Sequence, residues 1–157
     1  MRTLIAGALA FVAGSAVAEV QDEEFFAGDQ LVQIEVIDPI EIMWVGPNQY
    51  ERTQVLSGAD IEIVAEFTDD EALQMLGARV LVAEVPGTHS CENLDNPREY
   101  YVVTLGKELA TEGPVTTCAE LTVSATTGAV VLEADPMSDD GEFWAWAPGK
   151  GFGTQLD

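Results

Sequence analysis

The chain has 157 residues, of which 28 are acidic and only 6 are lysine or arginine, so its formal net charge is −22 at pH 7. Nucleic acid and anionic lipid are disfavoured as partners, because both are bound through basic surfaces. The acidic residues are spread along the chain without a long run, which favours a solvated surface adapted to salt. The alternative is that this charge attracts a basic partner protein or a cation.

The first 18 residues have the pattern of a secretory signal peptide. Arg2 supplies a positive charge, an apolar run extends from Leu4 to Val12, and Ala16-x-Ala18 predicts cleavage before Glu19. The apolar run is too short to cross a bilayer, which needs about 20 residues. We therefore expect a periplasmic or secreted mature chain, residues 19–157, without a membrane span. Its net charge would be about −23, because five basic and all 28 acidic residues remain.

The mature chain predicts a single β-rich domain. Residues 19–29 are acidic and are expected to form a loose arm. Alternating or β-rich runs then predict strands at 31–37, 40–45, 50–56, 61–67, 79–85, 99–105, 115–123, 129–134 and 142–147. Glycine-rich residues 148–157 are expected to form a mobile tail.

One short helix is predicted near residues 69–76. Thr68 and Glu71 have the spacing of a capping box, with Thr68 as the N-cap, and Gly77 can end the helix in a left-handed conformation. Short strands, frequent turns and one helix favour a mainly β fold, either an antiparallel sandwich or a barrel-like sheet.

Cys91 and Cys118 are the two cysteines, and an even pair in an exported protein predicts one disulfide. In the chain-entropy treatment such a loop stabilises the fold by about 3–4 kcal/mol. A metal-binding pair and a catalytic thiol are the alternatives, and both are weakened because His89 is the single histidine.

His89, in the segment Gly87-Thr88-His89-Ser90-Cys91, is the candidate general base or metal ligand. The alternative is a loop histidine held beside the disulfide. The mature sequence contains neither a Gly-x-Ser-x-Gly elbow nor a His-Glu-x-x-His motif. We therefore expect a protein that is not an enzyme and that uses no cofactor.

An acidic cluster near the C-terminal end is a weak candidate for calcium binding. Asp135, Asp139, Asp140 and Glu142 surround Gly141 and offer oxygen ligands, although their spacing is not that of an EF-hand. The alternative, a solvated hairpin turn, is favoured.

Trp144 and Trp146 are weak candidates for ligand binding, because exposed aromatic side chains can stack on sugars or anchor an interface. They lie beside Phe143 on one short strand, so burial in the core is the favoured alternative. Trp44 and Tyr50 have the same ambiguity.

Four segments of the second half share a pattern: Gly87-x-His89-x-Cys91, Tyr100-Tyr101-Val102-Val103, Thr116-Thr117-Cys118 and the aromatic strand 142–146. Over about residues 80–150 the chain thereby resembles a loose group of small exported proteobacterial β-proteins. That group has no assigned activity, so the resemblance implies no catalytic residues. It does imply pairing of Cys91 with Cys118.

A second resemblance is to periplasmic lysozyme inhibitors, which are small exported β-proteins with disulfides and an inhibitory Ser-Gly-x-x-Tyr loop. Here Ser57-Gly58 is followed by Ile61 at the tyrosine position. The sequence thus predicts an exported acidic β domain of the binding or structural class. Its alternative is a periplasmic inhibitor of a basic extracellular enzyme such as a lysozyme.

Overall fold

The computed structural model describes residues 23–92, 96–135 and 142–153. The expected signal peptide, residues 1–18, lies outside them. The first sheet contains β1 (Glu23–Ala27), β2 (Gln30–Ile37), β3 (Ile40–Gly46) and β4 (Thr53–Gly58). The second contains β5 (Glu62–Phe67), β6 (Arg79–Pro86), β7 (Arg98–Leu105) and β8 (Ala110–Thr117), with helix α1 (Asp70–Leu76) between β5 and β6. The third contains β9 (Leu121–Thr126), β10 (Ala129–Ala134), β11 (Phe143–Ala147) and β12 (Gly151–Gly153).

Each sheet is a four-stranded antiparallel meander, in which strands adjacent in sequence are also adjacent in space. The mainly β fold with one short helix is therefore confirmed for the described residues. The sequence left open a sandwich or a barrel-like sheet. The described strands form open sheets that pack on one another, as in a sandwich.

The second sheet lies between the other two. Leu81, Ala83, Val85, Val103 and Leu105 belong to a first core shared with the first sheet, whereas Val80, Val82, Tyr100 and Val102 belong to a second core shared with the third sheet. Because successive side chains of a strand point to opposite faces, β6 and β7 are buried on both faces. Strands buried in this way need nearly continuous apolar runs, which the sequence of β6 provides.

Strand β8 connects the layers through side chains. The Thr111 hydroxyl donates to the Val55 carbonyl at 2.7 Å, which joins β8 to the first sheet. The Trp146 indole N–H donates to the Glu112 carboxylate at 2.9 Å, which joins β8 to the third. The sequence predicted one strand over 115–123, but β8 ends at Thr117 and β9 starts at Leu121, because the chain passes from one sheet to the next there.

Helix α1 begins one residue later than the capping box predicts. Asp69, not Thr68, is the N-cap, and its carboxylate accepts a hydrogen bond from the Ala72 N–H at 2.7 Å. The Thr68 carbonyl instead accepts a hydrogen bond from the Arg79 guanidinium. Gly77 ends the helix at a φ of 79°, as predicted.

Parts of the predicted arm and tail are strands. β1 pairs with β2 across a turn at Gly28, whose φ is +66°, and Phe25 packs against the first core. β12 pairs with β11, and Phe152 packs against the second core. In each case a partly buried aromatic ring packs against a core and stabilises a strand that the local sequence does not reveal. Residues 19–22 and 154–157 lie outside the described residues.

Among the described residues, no helix has the length and apolar character needed to cross a membrane.

Candidate functional site

The disulfide is the first feature that could carry chemistry. Cys91 and Cys118 are bonded, with their Cα atoms 5.7 Å apart and 27 positions apart in sequence. The bond joins the loop after β6 to the residue that follows β8. A disulfide is more typical of an extracellular or periplasmic protein than of a cytosolic one.

His89 lies beside this disulfide, where its ring packs on Gly87. A Cβ atom on Gly87 would lie 2.8 Å from both Cε1 and Nδ1 of His89. Nε2 is 3.0 Å from the Thr117 carbonyl oxygen. A carbonyl can only accept, so Nε2 is the donor, and in the corresponding neutral tautomer the lone pair is on Nδ1. Nδ1 is buried and has no hydrogen-bond partner among the described residues.

The acidic cluster is only partly described. Asp139 and Asp140 lie outside the described residues. Glu142 accepts a hydrogen bond from the Thr117 hydroxyl, and its backbone carbonyl accepts one from the Ala134 N–H at 2.9 Å. Glu142 therefore joins the third sheet to the end of β8, next to the disulfide.

The two tryptophans of β11 have different environments. Trp146 is 1% exposed within the second core and its N–H is bonded to Glu112, so its ring is not available for stacking on a ligand. Trp144 is partly buried against the same core and lines a shallow groove of about 330 Å³ with Pro114 and Phe152. Only part of the Trp144 ring therefore faces solvent.

A larger exposed feature lies on the first sheet. Val32, Ile34, Met43 and Val45 of this sheet point into the first core. The side chains that alternate with them form what we call the outer face: Glu24, Phe26, Gln33, Glu35, Ile37, Ile40, Ile42 and Trp44. Phe26 is 69% exposed, Ile37 53% and Ile40 49%.

Polar contacts hold Trp44 at the middle of the outer face. Its indole N–H donates to the Glu35 carboxylate at 3.0 Å, and the Arg52 guanidinium carbon lies 4.4 Å from the ring centroid. Arg52 also pairs with Glu35 at 3.5 Å and donates to the Gln33 side-chain oxygen at 3.1 Å. Gln33 in turn donates to Glu24 at 2.8 Å. The ring is thus fixed by a cation–π contact and a hydrogen bond.

The sequence did not single out the outer face. Alternation separated the two sides of the strand at 31–37, but the segment 40–45 showed only an extended pattern, and Trp44 was ambiguous between core and surface. The available signal was that both sides of these strands carry apolar residues, although only one side packs on the second sheet.

In the segment that resembles the inhibitory loop, Ser57, Ala59 and Asp60 are exposed, but the residue at the tyrosine position is buried. Ile61, at the position of the family's tyrosine, is 6% exposed in the first core, and its N–H donates to the Glu41 carboxylate at 2.6 Å. Gly58 lies so close to β6 that an added Cβ would be 2.6 Å from a Val85 methyl.

Comparisons with protein-family models, with curated proteins and with solved structures found no match to this chain.

Proposed function

We propose that this protein is an exported, non-enzymatic binding module whose outer face binds a basic protein. Export is supported by the signal-peptide pattern and by the disulfide. The non-enzymatic assignment is supported by His89, whose hydrogen bond is to a backbone carbonyl and not to a nucleophile or an orienting carboxylate.

The observation that carries this proposal is the fixed Trp44 among exposed apolar side chains. Phe26 and the Ile37–Ile40 pair lie at opposite ends of the outer face. Six residues of strand separate them, which corresponds to about 20 Å. This length suits the centre of an interface of standard size. Because Trp44 is already held in place, little side-chain entropy is lost when a partner covers it.

Charge selects the type of partner. Two copies of a chain with a formal charge of −22 repel each other, which disfavours self-association. A basic protein is attracted over a distance, and Glu24 and Glu35 place two carboxylates within the outer face against the single cation of Arg52. Complementary charge of this kind raises the association rate and makes binding sensitive to salt.

The test uses three immobilised mature proteins: wild type, the Ile37→Ser/Ile40→Ser double variant, and the control Leu73→Ser. Leu73 is also an exposed large apolar residue, at 38%, but it lies on α1. Each is challenged with the exported proteins of the source organism at about 50 mM salt and washed at about 500 mM salt.

We expect mass spectrometry to find a basic protein on the wild type and the control, eluted by salt and lost from the double variant. If no basic protein is enriched, or if the double variant retains it equally, the proposal is wrong.

The net charge also favours a second candidate, an inhibitor of a basic extracellular enzyme such as a lysozyme. Because Ile61 is buried, inhibition would run through the outer face and not through the loop of the known inhibitors. A basic lysozyme assayed with equimolar mature protein should then lose activity at low salt, and the Ile37→Ser/Ile40→Ser variant should not inhibit. Full activity with the wild type would exclude this candidate.

A further inference from the structure

We propose that reduction of the Cys91–Cys118 disulfide creates a binding site for a thiolate-preferring metal ion, with zinc as the representative. The ligands are Nδ1 of His89 and the two cysteine sulfurs. One ring nitrogen of His89 and the two sulfurs already lie within 4.8 Å of one another.

His89 is prepared for this role in the oxidised protein. Histidine ligands of metals typically donate their second ring N–H to a backbone carbonyl or a carboxylate, which fixes the tautomer and orients the ring. His89 has this arrangement, because Nε2 lies 3.0 Å from the Thr117 carbonyl oxygen. The lone pair of Nδ1 is left buried and without a partner among the described residues. A buried acceptor in this state costs free energy, which a metal ion would offset.

The reaction balances with a dithiol as the reductant. The S–S bond takes two electrons and two protons and becomes two thiols, while the dithiol becomes a disulfide. Metal binding then releases the two thiol protons, since thiolates are the ligands. Tetrahedral zinc with sulfurs at about 2.3 Å places them about 3.8 Å apart, so the two side chains need only rotate away from each other. A water molecule completes the coordination.

The elements that carry the ligands are attached to the fold without the disulfide. His89 and Cys91 belong to the loop between β6 and β7, where the Gly87 N–H donates to the Pro97 carbonyl at 2.8 Å. Cys118 directly follows β8, whose last residue, Thr117, is hydrogen-bonded to Glu142. Soft sulfur and imidazole ligands favour zinc or monovalent copper over calcium or magnesium.

The proposal is tested with zinc chloride as the probe and the full mature protein, in oxidised form and after reduction and anaerobic desalting. The variants are His89→Ala and, as a control in the same loop, Ser90→Ala. We expect the reduced wild type and Ser90→Ala to bind one zinc per chain. The oxidised protein and reduced His89→Ala should bind it at least about 10-fold more weakly.

Circular dichroism of the same samples covers the case in which reduction unfolds the chain. Zinc should then restore the β spectrum of the wild type and of Ser90→Ala but not that of His89→Ala. The proposal is overturned if the reduced wild type binds zinc no more tightly than the oxidised protein does. Equal affinity of His89→Ala and wild type, or zinc that fails to restore a lost fold, would also overturn it.

Discussion

Tyr100 gives a prediction whose magnitude follows from the structure. It is fully buried in the second core, and its hydroxyl oxygen accepts a hydrogen bond from the Leu121 N–H at 3.1 Å, which joins β7 to the start of β9. Tyr100→Phe removes that acceptor and leaves the buried N–H unpaired. We expect the free energy of unfolding at pH 8 to fall by about 1–3 kcal/mol.

The same residue predicts a dependence on pH. Burial, assisted by the nearby Glu84 carboxylate, raises the pKa of Tyr100 from 10.0 to about 12. The unfolded state therefore loses the phenol proton first, and the stabilising contribution, complete below pH 10, is lost as the pH rises towards 12. Linkage lowers the free energy of unfolding by about 1.4 kcal/mol at pH 11, and by about 2.7 kcal/mol once the pH is well above 12. Tyr100→Phe lacks this loss.

The assay is urea unfolding of wild type, Tyr100→Phe and the control Tyr101→Phe at pH 8, 9, 10 and 11. The Tyr101 hydroxyl donates to Glu99 at 3.0 Å, and its side chain is only partly buried, so its removal should cost less than about 1 kcal/mol at pH 8. The stability difference between wild type and Tyr100→Phe should narrow by about 1.4 kcal/mol between pH 8 and pH 11. A constant difference across this range would refute the assigned pKa and the burial that causes it.

Four further variants test the fold by the same unfolding assay. Asp69→Ala removes the N-cap of α1 and should cost about 1 kcal/mol, whereas Thr68→Ala should cost only a few tenths; the reverse order would support the capping box read from the sequence. Gly58→Ala places a Cβ 2.6 Å from a valine methyl of β6 and should cost about 1–3 kcal/mol, so an unchanged midpoint would contradict this close approach. The Cys91→Ser/Cys118→Ser double variant should lose about 3–4 kcal/mol, and a loss below about 1 kcal/mol would show that the link constrains little.

The sequence predicted well several strands that contribute to the cores, because hydrophobic patterns report burial directly. Expected strands at 31–37, 79–85 and 99–105 correspond to β2, β6 and β7, with ends that differ by a single residue at most. The hydrophobic pattern could not separate β8 from β9. The chain passes from one sheet to the next between these strands, and it is extended with apolar residues on both sides of that connection.

Features that depend on tertiary pairing were not predictable. β1 reads as an acidic arm because its own residues show no alternation, and pairing with β2 supplies the missing hydrogen bonds. Asp69, not Thr68, is the N-cap, and the Thr68 carbonyl accepts from the guanidinium of Arg79, eleven positions away in sequence, a contact that the local pattern does not reveal.

The sequence identified residues of the candidate sites but not the contacts that those residues make. The sequence identified His89, Cys91 and Cys118, and the structure added that Nδ1 of His89 has no hydrogen-bond partner among the described residues. Trp44 was noticed in the sequence, but its importance depends on Arg52 covering its ring. Such a contact between β3 and the following loop requires the register of the sheet.

The proposed binding of a partner to the first sheet agrees with the layered arrangement. Because the second sheet is buried on both faces, the first and third sheets each have one face that does not pack on it. On the third sheet that face carries Ala129, Val131 and Ala145, which are small and at most 6% exposed, and the partly buried Phe143. The outer face of the first sheet instead exposes Phe26 and Ile37 by more than half. Since the free energy of association increases with the apolar area removed from water, a partner gains most by covering the first sheet.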